Sequence, residues 1–148
     1  MKNLKHLYDC DSGQVFVEVA AFMPILVLLL LAAIDFSRFS QFDEMLVSSA
    51  RAGAQYGSMT LITATDFAGM KTAATNDAAT GVGITATAAS NFCKCADGTT
   101  CSNNICLTSH RLIYVSVTTS GTFVPLFSYV VKVGASPETS TAIMQVEQ

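Results

Sequence analysis

Gly13-Gln14-Val15-Phe16-Val17-Glu18-Val19-Ala20-Ala21-Phe22-Met23-Pro24, continued without a charge as far as Ile34, is the stretch on which the reading of this chain turns. Residues 19–34 are 16 consecutive uncharged positions, all apolar with Pro24 as the one breaker. A bilayer span takes about 20 predominantly apolar residues, and Val15, Phe16 and Val17 bring the run to that length. The segment therefore reads as a membrane helix. Pro24 removes one backbone hydrogen bond and predicts a kink or a loosened turn within it.

Three arrangements compete for this run. A secretory signal peptide has an apolar region of about 7–15 residues followed by a small-residue cleavage site. Ala32 and Ala33 are small, but Leu31 spoils the register, and an amphipathic pattern runs straight on from Ile34. A plain uncleaved signal anchor explains the length alone. The third arrangement also explains Glu18, a carboxylate inside the start of the apolar run. Such a charge is costly in lipid and tolerable at headgroup level. Gly13 lies five residues ahead of it, and residues 1–12 are a short polar leader with Lys2 and Lys5 set against Asp9 and Asp11. Polar leader, Gly, four residues, Glu, apolar helix is the layout of a type IV prepilin.

Within that class the segment from Gly13 to Pro24 resembles the G-x-x-x-V-E-F-A-x-x-x-P start of the TadE-like family, minor pseudopilins of the tight-adherence (Flp-type) pilus. The likeness continues through Ile34-Asp35-Phe36-Ser37-Arg38 and Ala50-Arg51-Ala52-Gly53-Ala54-Gln55-Tyr56-Gly57, where the family has I-E-F-G-R and A-R-E-G-A-R-Y. Val19 stands where the family has Phe, and Asp35 where it has Glu. The resemblance implies a prepilin peptidase cut between Gly13 and Gln14, after which Glu18 pairs with the new terminal amine of a neighbouring subunit and sets register in assembly. It also implies a single-pass inner-membrane protein with a cytoplasmic N-terminus and a periplasmic C-terminal domain, and a surface pilus as a further destination. The partners implied are the membrane, the peptidase, other pilin or pseudopilin subunits and the inner-membrane assembly platform. The expected organisation is a leader over 1–13, a membrane and assembly helix over 14–57 and an extracytoplasmic α+β domain over 58–148.

Composition agrees with a chain partly out of water. Of 148 residues 51% are hydrophobic and 13% charged, against about 25% charged in soluble domains. The net charge of -3 comes with no Lys/Arg cluster, so no nucleic-acid footprint is present. His6 and His110 are the only histidines. His110 has no carboxylate at motif spacing and reads as a solvated residue at a strand start. No G-x-S-x-G, P-loop or paired-acid motif occurs. The chain is read as no enzyme, with no cofactor and no resident metal.

Past Ile34, Phe36, Phe39, Phe42, Leu46, Ser49, Ala50 and Gly53 recur at helical spacing, an apolar stripe expected to pack on the protein's own sheet. Gly57-Ser58 ends that helix. Thr63-x-x-Asp66 resembles an N-cap for a second, with Phe67, Met70, Ala74 and Ala78 on one face and Gly81 as its stop. Strands are expected over 84–95, 111–119 and 139–147, the last with Ala142, Met144 and Val146 on one side. Residues 123–133, interrupted at Pro125, read as edge strand or irregular. The fold class is α+β, a long N-terminal helix on a small antiparallel sheet.

Cys93, Cys95, Cys101 and Cys106 fall within 14 residues, with Asp97-Gly98 as a turn. Zinc is the rival to disulfides, but Cys93-x-Cys95 misses the usual knuckle spacing, and disulfides persist outside the cytoplasm. A nested pairing, Cys93–Cys106 with Cys95–Cys101, suits a hairpin-like excursion, with a crossed pairing as the alternative. Cys10 would leave with the leader. Two functions follow: a minor pseudopilin, or a membrane-anchored binding or adhesion module that uses the same processing route.

Overall fold

A helix rich in Leu, Ala and Val opens the chain, and a Thr/Val/Ile-rich sheet closes it, an α+β arrangement. The computed structural model describes residues 11–78, 83–102, 105–107, 109–126 and 135–147, with the backbone alone at 11–15. In chain order the elements are α1 (Asp11–Ser58), a 3-10 turn (Thr63–Thr65), α2 (Phe67–Asp77), β1 (Thr85–Cys95), β2 (Arg111–Phe123) and β3 (Ser136–Gln145). The chain divides into two compact units, one ending at Arg38 and one beginning at Phe39.

The first unit holds the N-terminal part of α1, which remains helical through Pro24. Its apolar side chains face outward: Leu28, Leu29 and Leu30 are each 60–65% exposed. Contiguous apolar surface of this kind marks an interaction or membrane surface. α1 is long and apolar enough to cross a membrane.

In the second unit the residues of α1 from Phe39 lie with α2 on one face of an antiparallel sheet of order β1-β2-β3. β2 is central, and its alternation decides which face is dry: Val115, Val117, Thr119 and Phe123 are buried. Val117 stands opposite Ala89 of β1 and Ala142 of β3, so the middle of the sheet presents small neighbours to the helices. One buried cluster joins Ala54 of α1, Met70 and Ala74 of α2, and Val115, Val117 and Val146. A second joins Phe42, Leu46, Ile84 and Phe123, with the Phe39 and Phe123 rings edge to face at 5.4 Å.

Close approach depends on glycine. A Cβ at Gly53 would lie 2.8 Å from the Met70 carbonyl oxygen, 2.9 Å from Ala74 Cβ and 3.0 Å from Val117 Cγ1, so α1, α2 and β2 converge on the missing side chain. Gly121 makes room for the Phe42 ring, whose Cζ would be 2.8 Å from a Cβ there. The hydroxyls of the buried residues Ser49 and Thr119 are satisfied by carbonyls: Ser49 Oγ donates to Ala74 O at 2.6 Å and Thr119 Oγ1 to Leu46 O at 2.9 Å. Both bonds fasten α1 to a neighbour. Near the C-terminus, Glu147 N–H donates to Ser58 O at 2.9 Å.

Several expectations need correction. The N-cap of α2 is Asp66, not Thr63; Asp66 Oδ1 accepts from Gly69 N–H at 2.9 Å. Thr63 begins the 3-10 turn instead, where its hydroxyl accepts from Thr60 N–H and its own N–H donates to the Thr60 hydroxyl. Phe36 is 73% exposed, so the buried stripe starts at Phe39, where the second unit begins. β2 runs on to Phe123, because Gly121 and Phe123 still pair with Glu138 and Ser136 of β3. The pattern Ala142, Met144, Val146 faces the core as read. The expected stop at Gly81 and residues 127–134 lie outside the described residues.

Two outcomes follow for the full chain in detergent. Gly53→Ala should destabilise the second unit by about 1–3 kcal/mol through overpacking, while Arg51→Ala, on the exposed side of the same turn, should change stability by less than about 0.5 kcal/mol; denaturant titration compares them. The Asp66 carboxyl is held below its ordinary range, first by the Gly69 N–H and then by the Tyr56 hydroxyl at 2.8 Å, against a smaller upward push from burial. A lowered folded pKa gives stability that is present above the unfolded value near ~4 and lost as pH falls through the folded one. Melting temperature should therefore drop on acidification more steeply for wild type than for Asp66→Asn, and equal slopes would count against the cap.

Candidate functional site

Two groups of residues carry the chemistry the sequence singles out. The first is the opening of α1. Gly13 and Gln14 fall in its first turn, with their side chains undescribed, and Glu18 lies one turn beyond Gln14, exposed. Residues four apart share a helix face, so position 14 and the Glu18 carboxylate stand on the same side of the helix. Around Glu18 the surface is apolar: Val17, Val19 and Phe22 are 52–70% exposed. Glu18 has no ion-pair partner among the described residues. At the other end of the apolar run, Arg38 Nη1 meets Asp35 Oδ1 at 3.2 Å, one turn apart. The acid and the arginine of Ile34-Asp35-Phe36-Ser37-Arg38 thus neutralise each other where the apolar run ends.

The stretch from Ala50 to Gly57 is explained by packing. Ala50, Gly53, Ala54 and Gly57 are buried and form the flank that meets α2 and β2. Tyr56 reaches from α1 to the Asp66 cap. That link escaped the sequence reading: Tyr56 and Asp66 were each singled out, but nothing in a linear pattern joins residues ten apart across a chain reversal.

The second group is the cysteine cluster. β1 ends at Cys95, and a tight reversal follows. Gly98 N–H donates to Cys95 O and Cys95 N–H to Thr99 O, both at 2.9 Å. Gly98 takes a positive φ of 87°, a conformation that suits glycine. Asp97 Oδ1 accepts from the backbone and the hydroxyl of Thr99 at 3.0 and 2.7 Å, the local bonding that favours Asp in turns. The expected Asp97-Gly98 turn is therefore present. A second reversal pairs Ser102 with Ile105 through reciprocal backbone bonds and returns Cys106 toward Cys101.

The register of the first reversal decides the pairing. Lys94 bridges Thr100, which sets Cys93 opposite Cys101 and Cys95 opposite Thr99. The disulfides are accordingly Cys93–Cys101 and Cys95–Cys106, with Cα–Cα separations of 5.7 Å each. This is the crossed arrangement, not the nested one. The Cys95–Cys101 bond of the nested order requires a turn centred on Gly98, and the observed turn is centred one residue earlier, on Asp97. Closing such short loops contributes about 3 kcal/mol each in the chain-entropy account. Cys95 is buried and the other three are half-buried. His110 is exposed at the entrance of β2 and lines a shallow groove of about 420 Å³ with Leu112, Gln145, Val146 and Glu147.

Comparison with known proteins adds one finding. Residues 13–55 match the family model described as TadE-like protein. The match begins at Gly13 and ends within the Gly53–Tyr56 turn, so it covers most of α1 and none of the sheet. No curated protein and no solved structure matches the chain.

Peptide mapping under non-reducing conditions checks the pairing. Cleavage at Lys94 separates Cys93 from Cys95, and cleavage at Ile105 separates Cys101 from Cys106. The expected linked fragments join Cys93 to Cys101 and Cys95 to Cys106. Fragments joining Cys93 to Cys106 would restore the nested order.

Proposed function

We propose that this chain, TadE-like over its N-terminal helix, is a minor pseudopilin that takes part in initiating or assembling a tight-adherence pilus after removal of residues 1–13. The family match over residues 13–55 supports a pilin-like protein associated with that pilus class. The single observation that supports the finer role is the placement of Gly13, Gln14 and Glu18 at the head of an exposed apolar helix. Glycine before the cut lets the backbone extend into a narrow protease site without a side chain. Cleavage creates an amine at Gln14 on the helix face that carries Glu18. A carboxylate in an apolar environment is costly alone and tolerable once paired, so an amine from an adjoining subunit gives Glu18 a partner and fixes the axial register of two helices.

In this reading the chain is a single-pass inner-membrane protein, its N-terminus cytoplasmic and its sheet domain periplasmic. Lys2 and Lys5 favour that orientation. The role is structural and not catalytic; its partners are the peptidase, other pilin-like subunits and the inner-membrane assembly platform. The disulfides fit an oxidising compartment. A membrane-anchored binding module using the same route is the second reading, favoured by the exposed Ile105 and Leu107 on the stapled loop.

Processing and assembly should separate at Glu18. Glu18→Val lengthens the apolar run, so insertion and leader removal should persist by gel shift, while crosslinking to other pilin-like subunits in the same cells should fall at least about tenfold, the loss of roughly 1.4 kcal/mol. Unchanged crosslinking and piliation with Glu18→Val would remove the registry role. Gly13→Leu, in contrast, should block leader removal.

A further inference from the structure

We propose that the same four cysteines, when reduced, form a thiolate site for one divalent cation of the zinc class, so that the loop after β1 is fastened by metal in one redox state and by disulfides in the other. This inference stands apart from the pilus role. It rests on how closely the sulfurs converge beyond the two bonded pairs. Cys101 Sγ lies 3.5 Å from Cys106 Sγ and 3.9 Å from Cys95 Sγ. Cys93, Cys101 and Cys106 have their sulfurs within 4.8 Å of one another. Tetrahedral zinc with bonds near ~2.3 Å sets its sulfurs about 3.8 Å apart. The Cys101–Cys106 and Cys95–Cys101 pairs are already close to that spacing, the bonded pairs reach it by opening roughly 2 Å, and Cys95, outside the group of three, has to swing toward Cys93 as its disulfide opens.

The backbone supports this without the disulfides. Both reversals are held by their own bonds, Cys95 N–H to Thr99 O and the reciprocal pair between Ser102 and Ile105. Cys101 stands between them, close to all three other sulfurs. One Cys-x-Cys pair on a strand and two cysteines on successive turns make a compact four-sulfur set whose sequence spacing hides it, because the turns and not the intervals bring the sulfurs together.

The exchange balances simply. Each disulfide takes two electrons and two protons while a dithiol reductant is oxidised to its own disulfide, giving four thiols in all. The cation then displaces four protons as the thiols become ligands, so affinity weakens as pH is lowered. Oxidation runs the sequence backwards and releases the ion.

The test uses the full chain in detergent with Cys10→Ser, so that only the cluster supplies thiols. It is reduced with a phosphine, freed of reductant without air and titrated with Co²⁺ alone. The expected result is one equivalent bound with the visible spectrum of tetrahedral cobalt and thiolate charge-transfer bands, displaced by Zn²⁺. The oxidised protein should bind none. Cys101→Ser should lose at least about tenfold in affinity. Reduced protein that yields no tetrahedral thiolate spectrum, whether folded or unfolded by circular dichroism, overturns the proposal. An octahedral spectrum, or equal uptake by the oxidised protein, does the same.

Discussion

The absent side chain at Gly53 sets how near α1 comes to α2 and β2, and the second unit is built around that approach. Three backbones converge where one Cβ would be 2.8–3.0 Å from its neighbours. Such proximity lets Ser49 reach Ala74 O and Thr119 reach Leu46 O, bonds that a wider separation would break. The same closeness places Tyr56 on Asp66, which caps α2. Small residues on the helix, small residues opposite Val117 in the sheet and a capped second helix are thus parts of one packing solution.

The helix that carries Gly53 meets a different requirement in its first unit. There the large apolar side chains are exposed among the described residues, and Leu, Val, Ile and Phe outnumber the alanines between them. A sequence that changes from bulky apolar to small residues along one helix is suited first to lipid or neighbouring helices and then to close contact with its own sheet. Glu18 is the exception in the apolar part and carries the proposed assembly role for that reason. A buried or lipid-facing carboxylate needs a partner, and the described residues supply none.

The sequence made α1, the α+β class, the strand at 111–119, the core face of β3 and the Asp97-Gly98 turn readable, since each follows from periodicity or local turn chemistry. Phe36 continued the helical stripe in sequence, yet periodicity does not mark where packing begins, and it is exposed. Cysteine pairing was set by a one-residue difference in turn register, centred on Asp97 rather than Gly98, a distinction that lies in backbone hydrogen bonds and not in spacing. The contact of Tyr56 with Asp66 and the room Gly121 makes for Phe42 join residues separated by chain reversals. Residue type hinted at them, and only the fold paired them.

The proposed role requires a specific maturation of α1, which would place a free amine and the Glu18 carboxylate one turn apart at the head of an apolar helix. The most direct measurement is the intact mass of the protein purified from its native membrane, with the N-terminal peptide sequenced by fragmentation so that a cyclised glutamine is still read. The account predicts a chain beginning at Gln14. A chain retaining residues 1–13, or one beginning near Ile34, would contradict it.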